Sequence, residues 1–347
     1  MKRSVTAALG AAFALGVTAM PVSAPLADDV ADFYKGKTLS VYVGVSPGGL
    51  YSVFAQMAAR HMGQYIPGRP TIIVQHMAGA GGTKALSYVY SVAPKDGSVA
   101  ITPNSSVDKR VVLKIGNPKY DPSKMRWLGG WGEAVFTLSL RKDIAPVRTL
   151  AETKNKEVIL GAIGKTSNPY MIPAMLKNLY GSKFKIITGY RGGAPIRLAI
   201  EKREIHGWTG QWEGWKMSKP EWIRDGKLLH LVQLGNERAQ DLKNIPLLSE
   251  VAENEEQRAM FRIVQSGIAD RAFVAPPGVP ADRLAALERA YMRTLQDPAF
   301  VADAKRQQFD VDPVKGAAIQ EFVEGMMALP DSTVEKLRKL MGLGGQS

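Results

Sequence analysis

The residues best placed to do chemistry sit in short loops that end an apolar run and open a helical pattern. Gly44-Val45-Ser46-Pro47-Gly48 matches G-x-S-x-G, the context of a hydrolase nucleophile elbow. That chemistry needs the backbone N–H of the residue after the serine, and Pro47 has none. The same loop can instead receive an anion, through Ser46 and the N–H groups of Gly48, Gly49 and Leu50 at a helix start. Gly79-Ala80-Gly81-Gly82-Thr83 departs from both G-x-G-x-x-G and the P-loop lysine spacing. It reads as a strand-to-helix turn, or as backbone that approaches a small ligand at Gly81 because glycine has no Cβ.

The second half repeats the arrangement. Gly164-Lys165-Thr166-Ser167-Asn168-Pro169 precedes a helical pattern. Ser167 or Asn168 can cap that helix, and Pro169 suits its first turn. The hydroxyls, the N–H groups and Lys165 could equally hold a carboxylate. Tyr190-Arg191-Gly192-Gly193-Ala194-Pro195 has the same logic, with Arg191 able to hold a carboxylate. Trp208, Trp212 and Trp215 crowd one segment, as buried packing or as a cleft wall on which a ligand stacks. The four histidines are isolated with no H-x-x-x-H, and there is no cysteine, so neither a metal site nor any other cofactor is expected.

Two similar units must position these loops. Leu39 to Val45, Thr71 to Val74 and Val99 to Thr102 read as strands, alternating with helical spacing at Tyr51 to Met62 and Leu86 to Ala93. The pattern restarts at Val135 to Leu140 and continues through strands at Val158 to Ala162, Phe184 to Thr188 and Leu228 to Leu234. After Val274-Ala275-Pro276-Pro277 the chain reads as helical to its end. Such alternation predicts an α/β fold of two lobes, each a parallel, doubly wound sheet with flanking helices, and a cleft between them. The expected division is residues 28–134 plus 270–347 for the first lobe and 135–269 for the second.

Composition narrows the class further. The 347 residues carry 45 Lys plus Arg against 32 Asp plus Glu, without a run of five basic residues, so no nucleic-acid stripe stands out. Lys2-Arg3 followed by an uncharged run from Ala7 to Met20 is the layout of a signal peptide spanning residues 1–27, with cleavage near Ala24 or Ala27. The run is about 14 residues, short of the roughly 20 that span a bilayer. Export to the periplasm is therefore expected. There, net positive charge favours encounter with small anions.

Several motifs then stand in a specific order: Tyr34-Lys35-Gly36-Lys37, Ser46-Pro47-Gly48-Gly49, Pro67-Gly68-Arg69-Pro70, Ala78-Gly79-Ala80-Gly81-Gly82, Ala93-Pro94-Lys95-Asp96-Gly97, Gly189-Tyr190-Arg191-Gly192-Gly193-Ala194 and Val274-Ala275-Pro276-Pro277-Gly278-Val279-Pro280. Together they resemble the Bug-type solute-binding proteins of tripartite tricarboxylate transporters. The resemblance implies a two-lobed periplasmic binding protein, type II-like, that is not an enzyme and passes a small carboxylate to membrane permease subunits. It implies ligand contacts from Ser46 to Tyr51, from Gly79 to Gly82, at Asn104 and Ser105, from Gly164 to Ser167 and from Tyr190 to Gly193, with Trp208 as a cleft wall. The chain departs from the family where Ser52 stands in place of a common Asp. A monomer is expected. The rival readings are an exported serine hydrolase using Ser46 and a sensory receptor that docks on a membrane kinase.

Overall fold

The computed structural model describes residues 26–103, 107–115, 118–165 and 167–343. Asn104, Ser105 and Thr166 lie outside the described residues, as does the leader up to residue 25. The chain first lays down β1 (Thr38–Val43), β2 (Thr71–His76), β3 (Val99–Thr102) and β4 (Arg126–Gly130). It crosses to a second sheet and builds β5 (Phe136–Arg141), β6 (Val158–Gly161), β7 (Phe184–Ile187), β8 (Gly207–Gln211) and β9 (Leu228–Leu234). It then returns to add β10 (Ala272–Ala275) and β11 (Val314–Lys315) to the first. The strand orders are β11-β4-β10-β3-β1-β2 and β7-β6-β8-β5-β9.

The sheets are mixed, which corrects the expectation of purely parallel ones. β1 runs parallel to β2 and β3, and β6 parallel to β7 and β8. β10 runs against both β3 and β4, and β5 against both β8 and β9. β11 also runs against β4, but β5 and β10, which run against neighbours on both sides, are the first strands delivered by each crossing. A chain arriving from the other sheet enters without a crossover helix, so nothing imposes the parallel direction.

Each sheet has its own core. The helix Leu50–Met62 follows β1 and buries Phe54, Ala55, Met57, Ala58 and Met62, the inward stripe of its 3.6-residue period. Phe54 has no exposure and touches the rings of Trp131, Phe273 and Phe300. Burial of one such ring contributes roughly 1.5–3 kcal/mol. The second core gathers Leu138, Leu160, Met171, Phe184 and Val232. The last helix, Asp331–Leu340, adds Leu337 to this second cluster, and Met341 follows it. The same helix is tied to the first sheet's segment at Lys114, whose Nζ lies 2.8 Å from Asp331 and whose carbonyl accepts from Arg338 at 3.0 Å.

The two crossings run side by side. The Trp131 N–H donates to Arg271 O at 3.0 Å, and the Ala134 N–H donates to Gly267 O at 3.3 Å. A Cβ at position 267 would sit 2.5 Å from Ala134 O, so the contact requires glycine there. Among the described residues no helix is long and apolar enough to cross a membrane.

Candidate functional site

The loops singled out in the sequence meet between the sheets. Gly44, at the end of β1, lies so close to Gly82 that a Cβ on it would come within 3.0 Å of the Gly82 backbone. The helix Leu50–Met62 begins at Gly49, and the helix Gly193–Glu201 at Gly192, and neither start carries a side-chain cap. The first-turn N–H groups of both are therefore open to an external acceptor. Ser167 is different, because its hydroxyl donates to Gly164 O at 2.7 Å within its own loop.

Direct bonds join the two lobes here. The Ser46 N–H donates to Arg191 O at 3.3 Å, and Gln211 Nε2 donates to Tyr51 Oη at 2.8 Å. Gly192 lies against Val45 and Ser46, and Gly164 against Gly81.

Cavities lie on either side of the Ser46–Arg191 contact. The outer one, about 520 Å³, is bordered by Gly81, Arg110, Gly164, Lys165, Tyr190 and Arg191. The inner one, about 40 Å³, is bordered by Gly49, Leu50, Tyr51, Phe136, Arg197, Trp208, Thr209 and Gln211, with Ile163 shared between the two. No Asp or Glu borders either cavity among the described residues. Of the residues expected at the site, Gly48 stands exposed in its turn, and Ser167 is buried behind its loop; neither borders a cavity. Ser46 and Gly192 meet at the constriction.

Sequence reasoning missed Arg197, Gln211, Thr209 and Phe136. Arg197 lies inside a helix that leaves Leu198 half exposed, so its apolar neighbours gave no hint that it faces inward. It is only 5% exposed, and burial pushes its guanidinium down to about 10. The tryptophan cluster is mainly packing: Trp215 contacts Trp208 and Trp222, and the Trp212 indole donates to Asp241 at 3.1 Å. Trp208 does both, since it also walls the inner cavity.

Among the described residues the serine–histidine pairs do not involve Ser46. Ser52 Oγ lies 2.8 Å from His76 Nε2. Ser139 Oγ lies 2.8 Å from His230 Nδ1. A larger hollow of about 820 Å³ flanks the second sheet, bordered by Trp212, Lys216, His230 and Asp241. Its Lys216 is already paired with Asp241 and Asp310, and its carboxylate Asp241 sets it apart from the cavities between the lobes.

Residues 53–338 match the family described as tripartite tricarboxylate transporter family receptor. The chain belongs to this family. The motif resemblance is thereby borne out, and the receptors of this family are periplasmic binding proteins. Among solved structures, the periplasmic binding protein BugD aligns with TM-score 0.73 at 21% identity, covering 90% of this chain and 100% of its own. Rpa4515 of R. palustris, with adipate, aligns with TM-score 0.68 at 18% identity, covering 88% and 97%. MatC from Rhodopseudomonas palustris, with bound malate, aligns with TM-score 0.67 at 19% identity, covering 88% and 99%. These likenesses establish the two-lobed receptor fold. No curated protein sequence matches the chain.

Proposed function

We propose that this receptor captures a small organic carboxylate between its lobes and delivers it to the membrane subunits of a tripartite transporter. One observation carries the reading. Two uncapped helix starts, at Gly49 from one lobe and Gly193 from the other, border a single cavity that no acidic residue lines. Each start presents roughly half a positive charge and open N–H donors. One exposed helix start is worth only about 0.3–1 kcal/mol to an anion, whereas micromolar binding needs about 8 kcal/mol. Several desolvated donors must therefore converge, which a cleft shared by both lobes provides and an open surface does not. The adipate in Rpa4515 and the malate in MatC support the ligand class.

The rest of the reading follows the sequence. The lobes divide as 28–134 plus 270–347 and 135–269, with the last helix laid across both. The chain acts as a monomer and leaves the bound solute unchanged. The leader is removed near Ala24 or Ala27, so mass spectrometry of the exported protein finds a first residue near Asp28. A thermal-shift screen with adipate, malate, benzoate and hexanoate tests the function, because a ligand that binds only the folded state raises Tm. At least one carboxylate should raise it; a neutral or cationic solute raising it while every carboxylate fails would refute the reading.

A further inference from the structure

Among the described residues two arginines, Arg197 and Arg271, are buried, and they are treated differently. Arg271, 2% exposed, is paired with Glu213, 4% exposed, and its Nε donates to Gln211 Oε1 at 3.3 Å. Arg197, 5% exposed, has no carboxylate, carbonyl or aromatic partner among the described residues. A buried charge without a partner is costly, and folded proteins pair it, neutralise it or supply the partner from outside. An arginine is not neutralised at neutral pH.

The surroundings of Arg197 are also unsatisfied. It borders the inner cavity together with Thr209 and Trp208, whose hydroxyl and indole N–H are buried and lack hydrogen-bond partners. Gly193 keeps this end clear: a Cβ there would meet the Trp208 ring at 2.7 Å and Arg197 Nη1 at 3.0 Å. Apart from Gln211, whose amide is bonded to Tyr51 and Arg271, the remaining side-chain walls are apolar or aromatic, among them Tyr51, Phe136 and Leu50.

We propose that Arg197 is the charge that anchors the ligand, taking one carboxylate head into the inner cavity in a two-pronged bond while the ligand's apolar stem lies against Tyr51, Phe136 and Trp208. The inference rests on the carboxylate reading of the same cleft and names its deepest contact. A guanidinium fork matches a carboxylate's two oxygens. The cavity, about 40 Å³, has room for such a head and no other fixed charge. The ligand class is thus a carboxylate on a flat or unbranched apolar stem, and a second carboxylate, where present, belongs in the outer cleft with Lys165 and Arg191.

The test uses the mature protein, with adipate, malate, benzoate and hexanoate as probes and benzamide and hexanamide as uncharged controls, read by calorimetry and by Tm. Any carboxylate that binds the wild type should lose at least a hundredfold in affinity in Arg197→Met, about 2.8 kcal/mol at 1.4 per tenfold. The unliganded Arg197→Met protein should melt no lower than the wild type, because the methionine removes a buried charge that had no partner. Arg197→Lys should lose about tenfold, keeping the charge without the fork. Arg197→Met binding within twofold of the wild type overturns the anchor and leaves the carboxylate receptor standing. So does an Arg197→Met protein that fails to fold alongside an Arg197→Lys protein with wild-type affinity. Binding of the amides as tightly as the acids overturns both readings.

Discussion

At the scale of single residues, the contrast between partnered and unpartnered charge organises the cleft. Arg271→Met should behave opposite to Arg197→Met. It strands Glu213, 4% exposed, without its cation, and such losses cost about 3–5 kcal/mol. Urea denaturation reads this directly, and an unchanged midpoint would show the pair to be dispensable. Arg191 was the arginine expected from its loop, yet the structure leaves its side chain exposed at the outer cleft. For a monocarboxylate, Arg191→Ala should change affinity less than threefold and act on the salt dependence of association, as charges at a rim do. The sequence makes Arg191 legible because it stands beside two glycines in a loop. Arg197 is illegible because only the packing of three other segments decides which way it faces.

His230 gives a residue-scale dependence on pH. Burial pushes its imidazole from the ordinary 6.5 down to about 4. The unfolded chain takes up a proton as pH falls through 6.5, and the folded chain only near 4. Stability is therefore full above pH 6.5 and is lost as pH falls from there toward 4, by on the order of 3 kcal/mol. Denaturation midpoints at pH 7 and 4.5 should diverge less in His230→Gln than in the wild type, and an equal divergence would refute the assignment.

At the scale of elements, the helices after residue 280 were plain in the sequence, since Ala281–Gln296 and its successors carry a clean 3.6-residue period on one face. β8 was not. Its five residues, Gly207 to Gln211, are all buried, so no alternation of polar and apolar residues marks them. Its two glycines look like a turn, but Gly210 is there because the Trp208 ring covers it, with a Cβ at 210 falling 2.3 Å from that ring. Gly210→Ala should force Trp208 off the inner cavity, costing about 1–3 kcal/mol of stability by overpacking and weakening every ligand at once. Melting and calorimetry on the same sample would separate the two losses. β4, with Gly129 and Gly130 under Val314 and Arg271, was missed for the same reason.

At the scale of the whole molecule, the bond between Tyr51 and Gln211 spans the cleft itself, whereas the Arg271–Glu213 pair ties the lobes near the crossings. Tyr51→Phe removes the hydroxyl that accepts from Gln211 Nε2 and leaves a buried amide donor without that partner. A hydrogen bond of this kind contributes about 0.5–1.5 kcal/mol net, so affinity should fall roughly three- to tenfold through faster release. Stopped-flow dissociation rates would show it, and an unchanged rate would place closure elsewhere. The two-lobe plan was readable from the restart of the strand-and-helix pattern near Val135. The direction of β5 and β10 was not, because strand direction follows from how the chain crosses between lobes rather than from any local pattern.

The position of β10 bears on how the chain is assembled in time. It pairs with Ile101 of β3 on one side and with β4 on the other, in the middle of the first sheet. Until residues 272–275 arrive, the first four strands are two fragments with bare inner edges, although their sequence is synthesised first. Pairing across so long a separation is slow. The amino-terminal lobe is thus the last to be completed, whereas the second sheet, drawn wholly from residues 136–234, has all its strands before β10 arrives.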